Sequence, residues 1–433
     1  MEIPKIKFQI PKVEYQQSHY LFDERFCIIK TEMYFHPLKK IMKKINCLVA
    51  LLLSGSMLFA QDNLVNSLKA NASDSAKVKF TFTNIINLEN GPVKNQGSSG
   101  TCWSYSGNSF VESEMLRNGK ELVDISEIYT ARCAYIDRAI TYVRMHGNVG
   151  WGDGAELHDV LQTYKKYGAV PNSVYSGLNY GTSKNKFGEM QAALEGMLKG
   201  IVENKNGKLT KNWLPAFTAA LDAYLGKVPE TFMYKGKEYT PLTFAEAVVD
   251  INADDYIELS SFTYAPYYES TLLMVPDNWS LQNIYNVPLN DLTAIVDHAL
   301  ENGFTVAWAT DVSEKGFSWK NGVAIVPEKD VEDMEPEEIK KMFDGPKNEK
   351  TITPEIREDG FDNYTTTDDH GMHIVGKAKD QNGKEYYIVK NSWGEKNDYK
   401  GYIYVSKAFF QYKTTAILLH KNGIPNAIAR RLN

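Results

Sequence analysis

Cysteine is scarce in this chain. Four in 433 residues (Cys27, Cys47, Cys102 and Cys133) are too few for a disulfide-built scaffold, so the fold must rest on buried apolar cores, which a chain this long can supply. A full membrane span is lacking too. The apolar stretch from Ile45 to Ala60 has 16 residues, with Ser54, Gly55 and Ser56 inside it, short of the roughly 20 a span needs. There is no basic excess either, since 48 Lys and Arg face 54 Asp and Glu. What is present is ordinary globular composition, 43% hydrophobic and 24% charged. That excludes disordered, collagen-like and fibrous chains and allows roughly two or three domain-sized units.

The first 60 residues differ from the rest. Met42-Lys43-Lys44, the apolar stretch to Ala60 and the polar Gln61-Asp62-Asn63 have the order of a secretory signal peptide. The chain is therefore expected to be exported to the periplasm or outside the cell, with cleavage near Ala60 and no stable membrane span afterwards. Residues 1–41 carry no comparable pattern and read as an upstream extension that is not native. Residues 1–60 hold nine basic and five acidic side chains, so the mature chain has 39 basic against 49 acidic, a net charge of −10. Such a surface repels phosphate backbones, which argues against nucleic acid as a partner. Only Cys102 and Cys133 would survive processing.

Residues 95–105 read Asn-Gln-Gly-Ser-Ser-Gly-Thr-Cys-Trp-Ser-Tyr. Gly97 and Gly100 permit a tight loop, and Tyr105, Phe110, Val111, Met115 and Leu116 then recur at helical spacing. Cys102 is thus expected in the first turn of a helix, where unpaired amides and the helix dipole favour a thiolate. Cys133 falls in an expected helix over 126–142 among Ile128, Ala131, Tyr135 and Ile136, as a core thiol.

Residues 370–376 read His-Gly-Met-His-Ile-Val-Gly, and Tyr386-Tyr387-Ile388-Val389-Lys390 precede Asn391-Ser392-Trp393-Gly394. A strand from His370 sends residues 370 and 372 to one face and 371 and 373 to the other. A neighbouring strand would bring Asn391 beside His370, where its oxygen fixes the tautomer and aims the other ring nitrogen at a thiol. His373 is expected as a packed histidine. A His-x-x-His zinc pair fits poorly, because the two rings face opposite ways and no third ligand cluster lies nearby; the reading calls for no metal and no cofactor.

These segments resemble the papain-like cysteine peptidases, whose local signature is Cys-Gly-[Ser/Ala]-Cys-[Trp/Tyr] with His and Asn far downstream. The stretch Gln96 to Trp103, with Ser98-Ser99-Gly100 before the cysteine, is similar to the bleomycin hydrolase or aminopeptidase C branch. Two further stretches match it, Asp153-Gly154-Ala155-Glu156 leading to Lys166–Pro171, and Asp254–Leu259. The resemblance implies an α+β, papain-like two-lobe fold, a helical lobe plus a β-barrel-like lobe, with inserted helices. It implies Cys102 as nucleophile, His370 as its acid/base partner, Asn391 as the group orienting the histidine, and Gln96 as an oxyanion donor. Trp393 would shield the His–Asn pair, and Gly154 and Ala155 would form the wall that binds the substrate backbone, with Ala155 departing from the family's second glycine. Peptides are the implied substrates and a homo-hexamer the implied assembly, with the C-terminal carboxylate in the cleft binding the substrate amine; this tail, ending at Asn433, looks shorter.

Spacing supports the same branch. His370 follows Cys102 by 268 residues, against about 130–150 in papain. Residues 182–250 hold much of the excess, as helical pieces over 186–202 and 212–225. The expected layout is a helical lobe with the nucleophile over 61–181, the insert over 182–250 and a β-rich lobe with His, Asn and the tail over 251–433. The implied activity is aminopeptidase cleavage through a thioester; an endopeptidase and a non-catalytic peptide-binding relative are the other readings.

Overall fold

The computed structural model describes residues 80–205 and 207–432. The expected non-native extension over 1–41 and the expected signal peptide over 42–60 lie outside the described residues, as does Asn433. Among the described residues no helix is long and apolar enough to cross a membrane.

The cysteine helix runs Cys102–Arg117, with Cys102 its first residue and Thr101 at the N-cap. It is buried on nearly every side, including Ser104, Asn108 and Glu112, so those polar groups need partners. Ser104 Oγ donates to the Glu127 carbonyl at 2.7 Å, and Asn108 Nδ2 to the Ser104 carbonyl at 2.7 Å. Glycine sets how closely neighbours approach. A Cβ on Gly107 would stand 2.5 Å from a Val160 methyl, which lets the helix Leu157–Tyr167 pack directly against the cysteine helix.

The helix Glu127–Arg144 starts where Ser126 Oγ accepts from Tyr129 N at 3.0 Å, and it carries Cys133, buried and free. The inserted helices are Gly188–Val202 and Trp213–Leu225, within two residues of their expected bounds. Their buried faces join Phe110, Tyr135 and Val160 in one cluster, through Leu194, Leu198, Phe217 and Leu221. The insert therefore shares the core of the cysteine helix.

The β-rich part is an eleven-stranded sheet. At its centre the histidine strand His370–Asp380 pairs antiparallel with Val306–Thr310 on one side and with the asparagine strand Glu385–Lys390 on the other. Tyr402–Ser406 continues beyond the asparagine strand, and Thr414–His420 followed by Tyr256–Ser260 beyond Val306–Thr310. Helix Leu289–Glu301 covers a second core that includes Trp308, Ile374, Val389 and Ile417. Residues 61–181 are not purely a helical lobe, because strand Phe82–Asn87 pairs with the far half of the histidine strand, Asn87 opposite Gly376. Gly376 permits this, since a Cβ there would lie 2.1 Å from the Ile86 carbonyl oxygen.

Candidate active site

Cys102 and His370 are brought together by the seam between the cysteine helix and the histidine strand. At that seam Gly371 has no side chain, and a Cβ there would meet Ser106 Oγ at 2.8 Å and the Trp103 Cα at 3.1 Å. The backbone amides of Gly371 and Trp103 stand near enough to the Cys102 sulfur to favour its ionised form, so the thiol lies by the residue that follows His370. His370 Nε2 bonds Asn391 Oδ1 at 2.8 Å, which leaves Nδ1 as the ring nitrogen for chemistry. Asn391 Oδ1 also accepts from Ser392 N at 2.7 Å, fixing the amide. The Trp393 ring lies over the imidazole at 4.7 Å between centroids and is itself held against Phe317 and Trp319. It covers the His–Asn pair, both members of which are buried.

Gln96 reaches the site from a loop pinned to the asparagine segment. Gln96 N donates to Ser392 O at 2.8 Å and Gly394 N to Lys94 O at 3.0 Å. The Gln96 side chain is clamped at both ends, its oxygen accepting from Ser392 Oγ at 2.5 Å and its nitrogen donating to Ser99 O at 2.7 Å. An amide nitrogen carries two hydrogens, so one remains for an oxyanion. Gly97 turns the loop at φ +66, and its missing side chain admits the Asn185 carbonyl, 2.7 Å from where a Cβ would stand. Asn185 Nδ2 returns a bond to Gln96 O at 3.1 Å.

Gly154 and Ala155 stand beside the nucleophile because Asp153 ties them there. Its carboxylate accepts from Gly100 N at 2.9 Å and its carbonyl from Trp103 Nε1 at 2.9 Å. Sequence reasoning quoted Asp153 inside a matching stretch without giving it this task, and it missed Ser392 and Asp277.

Two expectations are settled differently. The helix start was expected to lower the Cys102 thiol, yet burial pushes it up to about 12. The Gly371 and Trp103 amides pull it down by less, and the carboxylates of Asp277 and Asp369 push it further up. Ionisation of the sulfur thus depends on a proton acceptor. His373, by contrast, is fully buried, its Nδ1 2.9 Å from Ser109 Oγ, and burial holds it well below the ordinary histidine range. It remains neutral in the core.

The carboxylates of Glu112, Asp124 and Glu127 converge as metal ligands would, but the Lys94 ammonium sits among them at 2.9, 2.6 and 2.5 Å. The cluster is an internal ion network. Of the last described residues, Arg431 stacks on Tyr268 at 3.5 Å, and Leu432 joins His158, Tyr256 and Glu258 in lining a groove.

A thiol at a helix start, a histidine–asparagine pair and a side-chain amide beside them define a cysteine peptidase of papain-like α+β fold. The chain belongs to the Peptidase C1-like family, whose model matches residues 56–433. Among curated relatives it is similar to aminopeptidase G of Lactobacillus delbrueckii subsp. lactis, 22% identical over 395 residues that cover 81% of this chain and 86% of that one. It is also similar to bleomycin hydrolase of Mus musculus, 23% identical over 403 residues covering 81% and 84%. Among solved structures it is similar to PepW of Lactobacillus rhamnosis HN001, with a TM-score of 0.65 and 20% identity over 93% of this chain and 95% of that one.

Proposed function

We propose that the protein is a cysteine aminopeptidase that removes residues from the N-termini of peptides through a thioester. The observation that carries this is the His370–Asn391 bond under Trp393, with the adjacent Gly371 amide near the Cys102 sulfur. Cys102 gives its proton to His370 and its sulfur attacks the peptide carbonyl carbon. The carbonyl π electrons move to oxygen, which the free Gln96 amide hydrogen and the Cys102 N–H stabilise. The C–N bond breaks as His370 protonates the leaving amine, giving a thioester. His370 then takes a proton from water, hydroxide attacks the thioester, and the thiol is restored.

The N-terminal direction is supported by the names of the relatives, aminopeptidases and bleomycin hydrolases. Aminoacyl and N-acetyl-aminoacyl coumarylamides test it. Cleavage of the free-amine substrate alone, lost in Cys102→Ala, is expected. Equal cleavage of both would make the protein an endopeptidase, and a wild-type protein inert to both would make it a peptide-binding relative.

Export after cleavage near Ala60 is part of the same reading; it is supported by the order of Met42-Lys43-Lys44, the apolar stretch to Ala60 and the polar Gln61-Asp62-Asn63. A hexamer is the assembly the family resemblance implies, to be tested by light scattering of the mature chain.

A further inference from the structure

The wall beside the nucleophile carries a carboxylate that the mechanism above does not use. A Cβ built on Gly154 would lie 1.8 Å from Asp277 Oδ2 and 2.3 Å from its Cγ. The Asp277 side chain therefore lies directly on the bare backbone of the residue that the family resemblance assigns to substrate binding. The position is close enough to the nucleophile for the Asp277 charge to act on the Cys102 sulfur. A quarter of the Asp277 side chain stays open, whereas Glu156 behind it is 1% exposed, with neither oxygen in a well-formed hydrogen bond.

Asp277 is held in place by structure on both sides. Its backbone lies beside the Asp368 carboxyl. Asn278 staples the surrounding loop, donating to Leu273 O and Gln282 O at 2.8 Å each and accepting from Gln282 N at 3.0 Å. Arg138 bonds the carbonyls of Gly150 and Gly154, and its Nη2 stands 3.6 Å from Asp277 Oδ1. That contact is too long for a strong ionic hydrogen bond. Oδ2 keeps its acceptor capacity over the substrate wall.

We propose that Asp277 binds the free α-ammonium group of the peptide substrate and, by lying on Gly154, closes the acyl side of the cleft to longer chains. An ammonium there meets a fixed carboxylate with two lone pairs per oxygen, beside the carboxyls of Glu156 and Asp368, which burial pushes upward. A chain continuing past Gly154 would have to pass through the carboxylate. The device differs from the tail carboxylate that the family resemblance implies, since Asp277 belongs to an internal loop. It rests on the aminopeptidase reading and names the residue that would enforce it.

The test compares wild-type protein with Asp277→Asn and Asp277→Ser on aminoacyl, dipeptidyl and N-acetyl-aminoacyl coumarylamides, normalised to Cys102 alkylated by iodoacetamide. Loss of the charge is expected to lower the free-to-acetylated ratio of kcat/KM by about tenfold or more, mainly through KM, as removal of a charge-assisted hydrogen bond does. Cleavage of free dipeptidyl substrates with the same dependence on Asp277 supports the proposal and places the ammonium one residue further from the sulfur. If wild type prefers free amines and both variants keep that preference, the assignment of Asp277 is overturned while the aminopeptidase reading stands. If wild type shows no preference, the aminopeptidase reading itself fails.

Discussion

Ser109 Oγ and His373 Nδ1 are 2.9 Å apart, on the same helix that opens with Cys102 and the same strand that opens with His370. The two histidines three residues apart therefore face different partners, one a hydroxyl in the core and one an asparagine under tryptophan. His370→Ala is expected to lose about 100- to 10,000-fold in kcat/KM, the usual range for a positioned acid–base group. His373→Gln is expected to keep most turnover per alkylatable Cys102 and to cost about 1–3 kcal/mol of stability from the disturbed buried bond. Steady-state rates and urea midpoints check both, and the opposite pattern would exchange the roles.

Gly371→Ala tests the seam. The added carbon would stand 3.1 Å from the Trp103 Cα and 3.2 Å from its nitrogen, and backbone atoms cannot rotate away. The histidine strand has to retreat from the cysteine helix, and a displacement of about 1 Å at reacting groups can cost around 100-fold in rate. Rates on the free-amine substrate should fall at least that far while circular dichroism stays native-like. Unchanged activity would mean that the seam does not set the Cys102–His370 geometry.

Lys94→Met should be among the most damaging changes distant from the sulfur. It strands Glu112 and Glu127, whose side chains are 1% and 4% exposed, without their cation. Loss of one partner from a buried ionic group costs about 3–5 kcal/mol, readable in urea denaturation. A triple change that also removes the charges of Glu112 and Glu127 should recover part of the loss.

The His158 imidazole supplies a pH dependence. Burial alone would lower its affinity for a proton, but Glu258 and Asp159 outweigh that and raise it to about 9. A raised histidine stabilises the fold fully below its unfolded value of about 6.5 and ceases to do so as pH climbs through the folded value. Wild-type stability should therefore decline between pH 6.5 and 9, on the order of 3 kcal/mol from this group. His158→Gln should be weaker at pH 6 and show a flatter profile across that window; a slope unchanged by the substitution would exclude His158 as its source.

The catalytic set was legible because each member sits in a short, chemically distinctive segment. Cys102 follows a glycine loop, and His370 and Asn391 border alternating runs that form adjacent strands. Other features were not legible. Phe82–Asn87 shows no clean alternation of buried and exposed residues, and only its pairing partner, nearly three hundred residues away, makes it a strand. The cysteine helix buries Ser104, Asn108 and Glu112 as well as its apolar residues, so an apolar stripe could place the helix without revealing that it lies at the centre. The thiol was misjudged because helix-end amides can be read from sequence whereas burial cannot. Asp277 lies in a loop of no recognisable pattern and gains meaning only through the bare Gly154 beneath it.

Asn185 opens the segment over 182–250 and also buttresses the turn that presents Gln96. Trimming this protein toward the smaller papain scaffold would consequently not be a neutral miniaturisation. Excision would remove a doorpost of the oxyanion donor together with Leu194, Leu198, Phe217 and Leu221 from the helical core, and any engineered compact form would need a replacement carbonyl at Gly97.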